Sequence, residues 1–452
     1  MNIQYRIDLL GNTYDPIKKE QKSMFSIPEE YNPRSPYGRL FMSRIFTAKA
    51  KETFLNGKIQ PGDLVYFKTN GTYGYNKNHI KDESYGSLED LAEVLAYHIV
   101  CDLNEKLKNE AMIYVSPCTF GLNYAFNGYG MNRCFDEDRT NLYGLISKNA
   151  LMKNATIIRG VDLMHMVLDR KDAQLSSKHT IFNYNIAISE FLERNPNVKV
   201  SPALNRNLAS TLFFDYFYAD ADRHCRNINF QLVKIENDAL LIPMAMLDNG
   251  GGLGMSSLNC YKVYDEQINL MNRGNGKMYS SNTLEYNPNI VVFNGSYDFG
   301  VGGECIADPE LSMGFDKLPY PNQIVRFIYS NRTLFNDFKN MYESLDFAGA
   351  IPKLHPHIQK ESEFLPGMNK VIPAILEMKK REISKAIAEE LNIEFSEEEF
   401  DKDNLFYLNI LEPLVNENIL TIPISKTDEI DAFNKKYGIF QENSNENAKK
   451  YE

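Results

Sequence analysis

Asp222-Arg223-His224-Cys225-Arg226-Asn227 opens a stretch that closes on Leu247-Asp248-Asn249-Gly250, and the residues between them read as a β-hairpin. From Asn227 the chain alternates. Ile228, Phe230 and Leu232 fall on one face and Asn227, Asn229 and Gln231 on the other, as a half-buried strand requires. Glu236-Asn237-Asp238 supplies turn chemistry, and Ala239 to Leu247 is a second apolar run. With Asn237 and Asp238 as the two turn residues, Asn227 lies opposite Asp248, where one divalent ion could touch both side chains. Pro243 inside the second run marks that strand as an edge, or as bulged, because proline cannot donate to a ladder.

The side chains at the two ends of this hairpin point to phosphoryl transfer. That chemistry needs a carboxylate at the acceptor hydroxyl, then an amide oxygen and a second carboxylate to hold Mg²⁺ against nucleotide phosphates. Asp222, Asn227 and Asp248 supply them in that order. Asp-Arg-His-x-x-Asn should arise by chance in on the order of one chain in a thousand of this length, so loop capping is the weaker explanation for these residues. His224 has two readings of similar weight: a catalytic contact, to phosphate or to Asp222, or a structural brace of the loop.

The chain has 452 residues, 43% hydrophobic and 24% charged, enough for a large core and two or three domains. No apolar run approaches the roughly 20 residues of a membrane helix, and Met1 to Asp8 lacks the basic-then-apolar pattern of a signal peptide. Six cysteines are scattered singly, which suits reduced thiols in the cytoplasm and argues against a zinc site or a disulfide framework. A net charge of −11 argues against direct binding along a nucleic-acid backbone.

Residues up to about 150 alternate short extended runs with Gly, Pro and Asn turns around one helix. From about 155 to 225 the pattern turns helical, with helices expected over Val161 to Leu168, Thr180 to Leu192 and Leu204 to Tyr218. Residues 255–320 are rich in Asn, Gly, Ser and Tyr and show little periodicity. Helices are expected again at 321–346, 368–391 and 428–437, while Glu442 to Glu452 is polar and short of core residues. Gly128-Tyr129-Gly130 and Gly300-Val301-Gly302-Gly303 lack the strand-then-helix setting of a dinucleotide loop and read as turns.

A lysine on a strand and a glutamate on the next helix would complete a nucleotide site. Leu64-Val65-Tyr66-Phe67-Lys68 follows the turn Pro61-Gly62-Asp63 and supplies the strand. Ser87 then caps a helix whose apolar stripe is Leu88, Leu91, Ala92, Leu95 and Ile99, with Glu93 on its flank as the partner of Lys68 and Glu89 as the rival. Taken alone, a lysine and a glutamate so placed are usually solvated, and only the downstream motif raises them above that.

Val65-Tyr66-Phe67-Lys68, Ala92-Glu93-Val94-Leu95-Ala96, Asp222 to Asn227 and Leu247 to Gly250 together resemble HipA-like serine/threonine kinases, of the phosphoinositide-kinase-like branch of the protein-kinase superfamily. The resemblance spans about residues 60–255. It implies an α+β, bilobal protein-kinase-like fold with a small sheet-rich N-lobe (1–150), a larger helical C-lobe (151–395) and a C-terminal extension (396–452). It also implies ATP and Mg²⁺ as cofactors, Asp222 as catalytic base, Asn227 and Asp248 as metal ligands, and Lys68 with Glu93 at the phosphates. The acceptor would be a Ser or Thr hydroxyl of a protein, and some family members are toxins held by a DNA-binding antitoxin partner. The chain departs from the family in lacking a glycine-rich loop before Lys68, where Arg34-Ser35-Pro36-Tyr37-Gly38-Arg39 has a single glycine. Three alternatives stay open: a phosphoinositide kinase, a pseudokinase that binds nucleotide without turnover, and an enzyme that transfers adenylate instead of phosphate from an inverted nucleotide in the same cleft.

Overall fold

The computed structural model describes residues 6–7, 14–15, 20–21, 25–26, 44–51, 53, 55–69, 88–108, 111–123, 142–152, 154–160, 162–163, 181–220, 223, 227–236, 238–246, 249–254, 270–271, 278–279, 300–301, 304–305, 320–357 and 364–415. Over these the fold is α+β, with two principal sheets and a helical assembly.

The first sheet contains β1 (Arg6–Ile7), β2 (Phe25–Ser26), β3 (Arg44–Ala50), β4 (Leu64–Thr69), β5 (Cys118–Asn123) and β6 (Leu142–Lys148), in the order β1-β5-β6-β4-β3-β2. Only β1 pairs in parallel. The entry into β4 is a type II turn: Pro61 presets the first central position, Gly62 takes φ +91° at the second, and the Asp63 N–H donates to the Gln60 carbonyl at 3.0 Å. This fixes β4 between β3 and β6, so Lys68 pairs with Ile45 on one side and Leu145 on the other. Helix α1 (Leu88–Asn104) follows and packs on β5.

The second sheet contains β7 (Ala155–Arg159), β8 (Val198–Val200), β9 (Asn229–Ile235) and β10 (Asp238–Pro243), in the order β8-β10-β9-β7. Around it lie α2 (Ile181–Arg194), α3 (Leu204–Phe217), α4 (Tyr320–Tyr329), α5 (Arg332–Ser344), α6 (Phe347–Ala350), α7 (Phe364–Glu390), α8 (Glu397–Lys402) and α9 (Phe406–Leu411). Helix α3 is the central post, buried on nearly every face. Phe213 meets Phe338 edge-on at 5.0 Å, and Phe217 meets Tyr342 at 5.8 Å. Each such ring contributes roughly 1.5–3 kcal/mol by leaving water. Two polar side chains of α3 find partners inside: Arg206 forks onto Asp337 of α5 at 2.8 and 2.6 Å, and the Asn207 amide donates to the Met112 carbonyl at 2.8 Å. Phe400, Tyr407, Leu408 and Leu411 of α8 and α9 join the same core.

Several expectations need correction. The hairpin forms, but its register is displaced by two residues: Ile235 pairs with Asp238 and Phe230 with Pro243, which puts Glu236 in the turn and Asp238 in the strand. Glu236 adopts φ +50°, the left-handed backbone that a two-residue hairpin turn needs at its first position. This register carries on to Asn229, whose carbonyl accepts from the Met244 N–H at 2.9 Å, while Met246 pairs with Val115 and donates its N–H to the Tyr114 carbonyl at 2.8 Å; the expected facing of Asn227 and Asp248 lies outside the described residues. A shift of two leaves every side chain on its expected face. Strand β10 is also interior, not an edge, because β8 pairs along Val198–Val200. Pro243 is tolerated as its last residue: it stands opposite Phe230 in a pair that exchanges no ladder hydrogen bonds, beyond the end of β8.

Ala155–Arg159, read as the start of a helical region, is instead a strand against β9. The helix expected at 321–346 divides into α4 and α5, because Asn331 turns extended (φ −151°) and its side chain caps Leu334 N–H at 3.1 Å. The helix expected at 428–437, and all but residues 162–163 of the one expected at Val161 to Leu168, lie outside the described residues.

Candidate active site

Arg223, inside the Asp-Arg-His motif, is the hub of a buried polar cluster. Its Nε donates to Asp215 Oδ2 at 3.0 Å, and its Nη2 donates to Asp215 Oδ1 at 3.1 Å, Asp220 Oδ2 at 3.1 Å and Asn249 Oδ1 at 2.6 Å. One guanidinium thereby ties the end of α3, the loop after it and the segment that follows β10. Burial pushes the Asp215 carboxyl above its usual range, and the charge and hydrogen bonds of Arg223 pull it back. Arg223 and Asn249 are the chain neighbours of Asp222 and Asp248.

Tyr218 is the second brace. Its carbonyl accepts from the Leu253 N–H at 2.7 Å, and its hydroxyl donates to the Ala92 carbonyl in α1, one residue before Glu93. Gly252 lies against its ring so closely that an added Cβ would stand 2.0 Å from a ring carbon, so no other residue fits there. Ala219 (φ +51°) and Leu253 (φ +54°) flank this junction in left-handed backbone, a strain that persists only where surrounding contacts over-determine the turn. Burial, together with the charges of Asp220 and Glu93, raises the Tyr218 hydroxyl well above its usual range, so it stays a neutral donor.

Lys68 sits on interior strand β4, opposite Leu145. Glu93 is 6% exposed on α1, buried where a flank position had been expected, because residues 249–254 and β5 both pack on that helix. Asn227 is half-buried at the turn into β9, and the next residue is held by Gly160 N–H donating to the Ile228 carbonyl at 2.9 Å. Asp222, His224 and Asp248 lie outside the described residues, as does Arg34 to Arg39. Among the described residues no group of three or more His, Cys, Asp or Glu is placed to hold a metal. The donor set of Asn227 and Asp248, two hard oxygen ligands without thiol or imidazole, fits Mg²⁺.

Sequence reading missed Asp215, Tyr218 and Asp220 as parts of this region, and the role of Asn249, inside the second motif, as a partner of Arg223. The available signal was two carboxylates, Asp215 near the end of α3 and Asp220 just past it, immediately ahead of the motif.

No protein-family model and no curated protein matches the sequence. Among solved structures, the chain is similar to the Helicobacter pylori proinflammatory kinase CtkA, with 14% identity, a TM-score of 0.41 and coverage of 81% of this chain and 97% of that one. It is also similar to the Shewanella oneidensis toxin–antitoxin complex of HipA, HipB and operator DNA, with 10% identity, a TM-score of 0.24 and coverage of 90% and 69%. Among the described residues no helix is long and apolar enough to cross a membrane.

Proposed function

We propose that this chain is a bilobal, HipA-like kinase that transfers the γ-phosphoryl group of ATP, with Mg²⁺, to a Ser or Thr hydroxyl of a protein. The observation that carries the reading is the Arg223 fork. It joins the segment bearing Asp222 directly to the segment bearing Asp248, as a shared metal and phosphate site requires. Asn227 and Asp248 would hold Mg²⁺, which when bound offsets charge on the β- and γ-phosphates. Asp222 orients the acceptor hydroxyl and takes its proton. Lys68 meets the phosphates from β4, and Glu93, emerging from the buried side of α1, holds that lysine in place. His224 steadies the loop or touches phosphate.

The test is transfer of label from γ-labelled and α-labelled ATP to a cell extract and to lipid vesicles, side by side. Label from the γ position on protein Ser or Thr is expected, falling by about a hundredfold or more in Asp222→Asn with ATP binding retained. Full activity in that variant would overturn the assignment. Label on lipid alone would make the chain a lipid kinase, label from the α position an adenylyl transferase, and ATP-induced stabilisation without turnover a pseudokinase.

A further inference from the structure

A cavity of about 570 Å³ opens between the end of α5, α6, α7 and α8, and shares no residue with the candidate active site. Its walls include Phe347, Leu376 and Phe400, and Lys380 of α7 lines it. Lys380 is 9% exposed. Among the described residues its ammonium has no carboxylate within ion-pairing distance. The ammonium lies over the Tyr342 ring, with Nζ 4.6 Å from the centroid. The neighbouring Arg381 is different, since it is already engaged by Glu377, Glu397 and Asp401.

A lysine nine-tenths buried and without an ion pair, at the wall of a cavity that also carries Phe347, Leu376 and Phe400, is costly unless something completes it. We propose that this cavity is a second ligand site, which takes a small monocarboxylate with an apolar or aromatic body, the carboxylate on Lys380 and the body against Phe347, Leu376 and Phe400. The charges around it set the ligand class. Glu343 of α5, Asp346 at the cap of α6, Glu377 and Arg381 of α7 and Asp401 of α8 face Lys380 or its cavity. These carboxylates repel a phosphate or other polyanion more strongly than a single negative charge, so the attraction of Lys380 can outweigh them only for a monoanion. Asp346 does not already satisfy the lysine, because its side chain accepts from the Gly349 N–H at 2.9 Å to cap α6. Burial also depresses Lys380 to about 8, a direction that a bound carboxylate would reverse.

Fluorine NMR of para-fluorobenzoate titrated into the full chain tests this, with the neutral isostere para-fluorobenzamide and inorganic phosphate alongside. The carboxylate is expected to bind saturably, at least about tenfold more tightly than the amide, the lower end of what a hydrogen bond to a charged group contributes. Its affinity should fall as pH rises through about 8, and folded Lys380→Met should lose it. Equal binding of the amide, displacement by phosphate or by ATP with Mg²⁺, indifference to pH, unchanged binding in Lys380→Met, or no binding at all would each overturn the proposal. The isostere and pH comparisons use the unaltered protein, so the proposal stays open to refutation even if the variant fails to fold.

Discussion

Arg223 shows how one side chain can decide whether two loops act together. Its guanidinium satisfies Asp215, Asp220 and Asn249 out of contact with water, so removing it strands two buried carboxylates. Arg223→Met is expected to cost about 3–5 kcal/mol, the usual range for breaking one side of a buried pair, read as a lower urea midpoint. An unchanged midpoint would show that the cluster is not structural. Lys380 poses the opposite case. Its folded value of about 8 lies below the ordinary 10.5, so between those values the unfolded chain holds the proton that the folded chain has released. Folding therefore gains stability as pH rises from about 8 to 10.5, and below that window the buried charge costs up to about 3 kcal/mol. Lys380→Met should raise the melting temperature near neutral pH, with the advantage shrinking toward about pH 10. A pH-independent difference would contradict the burial of that charge. Asp222, Asn227 and Asp248 stood out in the sequence because their spacing is a short-range pattern. Asp215 and Asp220 did not, since which carboxylate meets Arg223 depends on how the end of α3 folds back.

Among the elements, α1 and α3 were legible from an N-cap at Ser87 and from apolar residues recurring at helical spacing before Tyr218. The hairpin was legible too, but its turn was not, because turn chemistry favours Asn237-Asp238 and the chain places Glu236 in the turn instead. The chain uses Glu236, a side chain that gains nothing from left-handed backbone. Glu236→Gly should relieve about 1 kcal/mol of that strain and raise the melting temperature without moving the register. A lower melting temperature would mean that the glutamate makes a compensating contact. Strand β7 escaped notice because Ala155-Thr156-Ile157-Ile158-Arg159 does not alternate cleanly: Ile157 and Ile158 are both half-buried, one on each face. The division of α4 from α5 rests on a single asparagine whose capping role shows only once the following helix is in place.

At the scale of the whole molecule, α1 is tied to the helical assembly at both ends. Tyr218 reaches Ala92 beside Glu93, and near its C-terminus Lys353 pairs with Asp102 while Lys106 Nζ donates to the Ser344 carbonyl at 3.2 Å. A helix so fixed presents Glu93 from a preset position, which under the proposed kinase reading would let nucleotide bind without a large rearrangement. The proposed shared-cation site is tested most directly by electron paramagnetic resonance of Mn²⁺, substituted for Mg²⁺, with a non-hydrolysable ATP analogue. The unaltered chain and Asp222→Asn are expected to bind the ion, and Asn227→Ala and Asp248→Ala to lose it. Equal Mn²⁺ binding by all four proteins would contradict a metal held between the two ends of the hairpin.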